Sequence, residues 1–224
     1  MKLQFLNLFL IGILLGSCGK DSDSEIPPNF EGYSYLPLEV GQERVYRIDS
    51  ISYDDFTGTI DTVVFFERQL IVSTEEDLSG RTNYRTEIYR RDSIGQPWRL
   101  RSTELRYRGT YRYELNQGGN IYLPLVFPPL ADSRWNVNAM NAQGEVIYEY
   151  QKLHQSFQNE GVTYDSTITV LQNEEFNLIS TEKDIEVYAS GVGMIYRENI
   201  DLNTDINTGD IESGSERYQR LIQP

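Results

Sequence analysis

The chain has 224 residues, 39% hydrophobic and 24% charged, with 34 acidic against 20 basic side chains and a net charge of −14. That is the composition of a globular chain of one or two domains, neither disordered nor collagenous. With a single cysteine, Cys18, and a single histidine, His154, one chain cannot build a structural disulfide, a Cys/His zinc site or a Cys–His catalytic pair.

Lys2 precedes an apolar run from Leu3 to Leu15, broken only by Gln4, Asn7 and Gly12. The run is shorter than the roughly 20 residues a spanning helix needs, so residues 1–17 read as a removable export signal. Leu15-Gly16-Ser17-Cys18 resembles the bacterial lipobox, and the resemblance implies that the Cys18 thiol carries a diacylglycerol and is lost to redox or nucleophilic chemistry. Residues 18–32 are polar, run through Asp21, Asp23 and Glu25, and end near Pro27-Pro28, which reads as a flexible tether. Its Lys-then-acid order resembles the signal that sends Bacteroidota-type lipoproteins to the outer face of the outer membrane. The expected location is therefore the outer membrane, periplasm-facing or at the cell surface, with the surface favoured. Loss of residues 1–17 removes Lys2 and no acid, leaving 207 residues with a net charge of −15. Such a body repels nucleic acid and anionic lipid overall.

From Arg44 onward, period-two alternation of β-branched and aromatic residues dominates, and no long 3.6-residue period is present. Strands are predicted over Arg44–Ser52, Thr62–Ser73, Thr82–Arg91, Trp98–Arg101, Leu105–Leu115, Ile121–Phe127, Val146–Leu153, Val162–Gln172, Ile185–Ala189, Met194–Leu202 and Arg217–Ile222, with a short helix at Ser180–Asp184. In Leu105–Leu115 one parity is Leu, Tyr and Gly while the other carries Arg106, Arg108, Arg112 and Glu114, as expected of an antiparallel strand with one dry and one solvated face. Val63–Phe66 is apolar on both parities, which predicts cover on both sides or a bulge. Pro128-Pro129 ends its strand, and Gly191-Val192-Gly193 provides a tight bend. The fold class is all-β: a single domain over residues 33–224, built as a strongly curved antiparallel sheet, half-barrel or barrel, with a sandwich as the alternative.

Tyr35-Leu36-Pro37-Leu38-Glu39-Val40-Gly41, Val45-Tyr46, Trp135-Asn136 and Tyr188–Glu198 recur in an order that resembles a family of uncharacterised Bacteroidota-type outer-membrane lipoproteins. The resemblance implies a location; it brings no reaction, ligand or catalytic residue. Read on their own, Pro37 and Gly41 shape the approach to the first strand, and Tyr46, Trp135 and Tyr196 are candidate core aromatics.

No HExxH, phosphate loop, nucleophile elbow or dinucleotide fingerprint is present. His154 has no sequence neighbour that makes it a base, and reads as a surface or capping residue. Asp-Ser/Thr-aliphatic or -Thr triplets place Ser50, Thr62, Ser93 and Ser166 where they look like acceptors of Bacteroidota-type O-glycosylation, which requires exposed hydroxyls. Asp201, Asn203, Asp205, Asn207 and Glu212 have the alternate oxygen spacing of a calcium loop, weakened by Ile206 where such a loop needs glycine. Residues 81–112 hold nine arginines and three acids in an acidic chain. Arg99, Arg101, Arg106, Arg108 and Arg112 are thus a candidate face for an anionic glycan, with pairing across the sheet as the plain alternative. The expected role is non-catalytic binding or scaffolding in the cell envelope, with an envelope protein or anionic glycan as partner and no cofactor beyond weak calcium. A glycan hydrolase using surface carboxylates and a carrier with an apolar cavity are the alternatives.

Overall fold

A computed structural model describes residues 32–224, so Cys18, the export signal and most of the tether fall outside the described residues. A single 3-10 turn, η1 (Tyr33–Tyr35), leads into β1 (Glu43–Tyr53), β2 (Ile60–Glu76), β3 (Thr82–Arg91), β4 (Arg99–Arg108), β5 (Arg112–Gln117) and β6 (Asn120–Val126). The chain continues through β7 (Arg134–Asn136), β8 (Ile147–Asn159), β9 (Val162–Phe176), β10 (Ser180–Ala189), β11 (Gly193–Thr204) and β12 (Ile211–Gln223). All belong to one sheet in the order β6-β5-β4-β3-β2-β1-β12-β11-β10-β9-β8-β7, antiparallel throughout. Every strand but β6 and β7 is flanked on both sides, and these two edges approach each other to give a nearly closed barrel.

Polar bonds rather than a ladder make that seam. The Leu123 N–H donates to the Val137 carbonyl at 2.9 Å, and the Trp135 indole N–H donates to the Leu123 carbonyl at 2.7 Å. The Tyr150 hydroxyl donates to the Val126 carbonyl at 2.6 Å and accepts from the Val126 N–H at 3.2 Å. Covering two edges in this way removes the unpaired strand backbone that would template association.

Residues 32–41 close the end of the barrel at which β1 begins. The Gly191 N–H donates to Ser34 O, the Gly41 N–H to Ile71 O, and Arg108 Nη1 to Leu36 O at 3.0 Å, so one short segment touches three sectors of the wall. Tyr35, Leu36 and Leu38 are buried there with Leu125, Phe127, Trp135, Ile168 and Tyr188, and each buried leucine contributes about 1.5–3 kcal/mol. Arg44 ties the closure down, donating from Nε to Val192 O at 2.6 Å and from Nη2 to Pro37 O at 3.0 Å. Gly193 makes room for it: its φ is 94°, and a Cβ would lie 2.9 Å from Arg44 Nη2. The core occupies this half, and the opposite end is an open, largely polar mouth.

β8 bends, with register shifts at three places and His154 at φ 54°. Bulges of this kind increase local twist. The bend carries the β8–β9 tip onto β11 and β12, where Asn159 Nδ2 donates to the Ile195 and Leu221 carbonyls and Phe157 meets Tyr196 at 5.5 Å.

Two sequence expectations are corrected. Leu105–Leu115 is not one strand: Gly109, Thr110 and Tyr111 reverse the chain, with the Gly109 N–H bonded to Arg112 O at 2.9 Å. The reversal also inverts β4, whose Glu104 and Arg106 face inward and are buried while Leu105 and Tyr107 face outward. Ser180–Asp184 is the first half of β10 rather than a helix, because the Asn177 side chain accepts the N–H groups of Ile179 and Ser180 and turns the chain straight back into the sheet. Val63–Phe66 is covered partly: Val63 is exposed, whereas Phe65 lies under Arg90 at 3.8 Å and Phe66 under Arg91 at 5.3 Å on the other face.

The β2–β3 turn is built on Asp77. Its carboxylate accepts the N–H and the guanidinium of Arg81 and the N–H of Ser79, which hold its pKa down to about 2. The native value lies below the usual ~3.9 of an unfolded aspartate, so this contribution is complete above about pH 4 and fades as the pH falls toward 2. Asp77→Asn should flatten the acid-unfolding curve within that window. Unchanged unfolding between pH 4 and 2, followed by tyrosine fluorescence, would contradict this account.

Candidate binding site in the barrel lumen

The inward parity of β1–β5 and β10–β12 is polar. Arg44, Glu67, Glu104, Arg106, Glu186, Arg197 and Arg217 line a cavity of about 210 Å³. A second cavity of about 250 Å³ shares Glu186 and Arg197 with it, and a third of about 360 Å³ shares Arg217. The three are thus neighbours along the inner wall, with Glu186, Arg197 and Arg217 on their shared borders. A barrel of about eight strands is filled by its own side chains, and more strands leave an interior to be lined rather than packed.

A hydrogen-bond network makes this interior tolerable for charge. Arg106 Nη2 donates to Glu104 Oε2 at 3.0 Å and to Gln69 Oε1 at 2.8 Å. Gln69 Nε2 donates to Glu67 Oε1 at 2.9 Å, and Gln219 Nε2 to the same oxygen at 3.3 Å. Gln117 donates to Glu104. Across the lumen, Glu186 accepts from Arg197 and from the Tyr188 hydroxyl. Burial pushes the phenols of Tyr46 and Tyr113 up to about 12, so both stay neutral donors at any physiological pH. Nearer the mouth, burial also raises the Asp184 carboxyl, which accepts from Asn199 Nδ2 at 2.9 Å.

The five arginines proposed as one anion-binding face do not share a face. Arg99 and Arg101 are exposed at the start of β4. Arg106 is inside, Arg108 holds main-chain carbonyls of the closing segment, and Arg112 is outside, paired with Glu114 at 2.8 Å. Thr62 and Ser93 are exposed; Ser50 is half-buried in β1, and half-buried Ser166 places Oγ 2.8 Å from the Tyr35 hydroxyl. That hydroxyl is also 2.7 Å from His154 Nδ1, so His154 pins the closing segment to β8. Asp201 and Asn203 lie along β11 and Glu212 in β12, while Asp205 spends Oδ1 on the N–H groups of Asn207 and Thr208, which lowers its pKa. Among the described residues no three His, Cys, Asp or Glu side chains gather into a metal-holding group. The first cavity is lined by guanidinium, carboxylate, amide and phenol groups together with Leu36, Ile88, Leu115, Pro124 and Met194, so its wall is mixed with the polar share larger.

No protein-family model matches the chain, and no curated protein matches it. Among solved structures it is similar to a presumed exported protein of Bacteroides fragilis with a YmcC-like fold, at 12% identity and a TM-score of 0.41 over 84% of this chain and 98% of that one. It is similar also to a presumed lipoprotein of Parabacteroides distasonis, at 13% identity and a TM-score of 0.41 over 84% of this chain and 96% of that one.

Proposed function

We propose that the chain is a lipid-anchored outer-membrane protein that acts by binding, without catalysis, and that the barrel lumen is its ligand site. The anchor rests on Leu15-Gly16-Ser17-Cys18 and the polar tether after it. The observation that carries the binding role is the charged lumen, capped at one end by residues 32–41 and holding neighbouring cavities that share Glu186, Arg197 and Arg217. Because the tether joins the barrel at the closed end, the mouth can face away from the anchoring membrane. The three innermost carboxylates are already engaged by amides, guanidinium or phenol, an arrangement suited to holding a lumen in shape rather than to proton transfer.

Two variants test the two halves. Cys18→Ala should move the protein from the outer-membrane fraction to the soluble one and abolish labelling by a fatty-acid probe; an unlabelled wild-type protein overturns the anchor. Ser102→Trp fills the first cavity, which Ser102 lines. Small molecules released from the wild-type protein, purified from its own envelope and read by mass spectrometry, should be missing from this variant. Identical spectra overturn the lumen as the site.

A further inference from the structure

Around its first cavity the lumen has more donors than its own acceptors use. Four arginines, Arg44, Arg106, Arg197 and Arg217, face three glutamates, Glu67, Glu104 and Glu186, around the first cavity. That leaves one positive charge in excess around the first cavity, while the third cavity, which shares Arg217, brings Glu182, Asp184 and Asp201 toward the mouth. A guanidinium carries five N–H donors, yet Arg106 and Arg197 each engage protein acceptors through Nη2 alone. The Nε of each is buried without a partner. Arg217 makes no hydrogen bond or ion pair among the described residues, only a ring contact with Phe65 at 5.5 Å. The Tyr113 hydroxyl, on the cavity wall, is likewise without a protein partner. Leaving such groups unmet in a confined site is costly.

Register sharpens the point. Arg197 pairs with Gln219 and Asn199 with Arg217, so the two arginines are diagonal neighbours on the inner face, a relation that usually means about 7–8 Å between backbones. Arg197 has the Glu186 carboxylate as counter-ion; Arg217 makes no ion pair, and burial draws its pKa down, opposed by the charge of Glu67 and helped by the like charges of Arg197 and Arg90. An anion placed between them relieves the repulsion and satisfies the free donors at once.

We propose that the lumen takes a small molecule bearing one oxyanion, a carboxylate or a phosphate, which is held between Arg217 and Arg197 with the Tyr113 hydroxyl donating from the opposite wall. This rests on the lumen being the ligand site. Ordinary small-molecule pockets measure about 300–1,000 Å³, and the first cavity, at about 210 Å³, limits the occupant to monosaccharide size or below. The chemistry is shared by sugar acids, sugar phosphates and free phosphate, and the probes separate them.

The purified mature protein would be heated with glucuronate, inorganic phosphate or glucose. Glucuronate, phosphate or both should raise Tm by roughly 5–10 °C at a hundred times the Kd, and the probe that works names the oxyanion. Arg217→Gln, which breaks no ion pair, should fold with a ligand-free Tm no lower than that of the wild type and lose the shift; Tyr113→Phe should weaken it; Arg47→Gln, altering the outer-face pair with Asp49, should leave it intact. A shift that survives in Arg217→Gln overturns the proposed site. Glucose acting as strongly as glucuronate overturns the anion assignment while leaving the lumen as a binding site. Indifference to all three probes counts against both.

Discussion

Trp135→Ala should destabilise the protein by about 3–5 kcal/mol, the usual cost of truncating a large buried aromatic. The loss should be concentrated at the β6–β7 seam. Trp135 is 9% exposed, packs tilted against Tyr150 with ring centres 4.8 Å apart and gives its indole N–H to the Leu123 carbonyl. The variant removes packing and one polar link together, while the bonds of Leu123 to Val137, Tyr150 to Val126 and Asn141 to Ile121 remain across the seam. Urea unfolding would read the total. Amide exchange would show the position, with the Leu123 N–H, bonded to Val137 O, accelerating far more than amides of β1 and β12. A uniform acceleration, or a loss below about 1 kcal/mol, would mean that the seam is held elsewhere.

Arg106→Met should cost a similar amount, about 3–5 kcal/mol, because it leaves the Glu104 carboxylate buried without its counter-ion. Both side chains are about one-tenth exposed. The double variant Arg106→Met, Glu104→Gln should regain more than half of that loss, since the remaining amide can still accept from Gln117 and no lone charge is left. A midpoint shift in urea at constant slope reports the difference. If the single variant costs less than about 1 kcal/mol, the pair is solvated like one on the surface.

The fold class and most strand positions were legible because alternation and turn residues are local signals. Thr82–Arg91 is a strand with the predicted limits, and Pro128-Pro129 ends β6 as expected. The candidate site was not legible, for a physical reason. Glu104-Leu105-Arg106-Tyr107-Arg108 is written with the pattern of a half-solvated strand, and the reading that apolar residues go inward holds only while the interior is dry. In a twelve-stranded barrel the interior is too wide for that, so the charged parity turns in and the Leu/Tyr parity turns out. One available signal was the number of predicted strands, already more than a side-chain-filled barrel needs. A second was the glutamine accompaniment: Gln69, Gln117 and Gln219 lie on inward positions beside carboxylates, and neutral amides are what a desolvated ion network requires. Closure by residues 32–41 was invisible for a different reason, since Tyr35, Leu36 and Leu38 belong to no strand and their partners, among them Ile71, Leu125 and Tyr188, are scattered far downstream in the chain.

The placement of the seam has a kinetic consequence. Every pairing but one joins strands adjacent in sequence; the exception, β1 with β12, matches Val45 to Gln223 and spans nearly the whole domain. Two hairpin stacks, β1–β6 and β7–β12, can each form from local contacts, and their union waits on the entropy of bringing the two ends of the chain together. The slow step in building this barrel is therefore the joining of its first and last strands, whereas the β6–β7 edges, only a short connection apart, can meet afterwards with little further search.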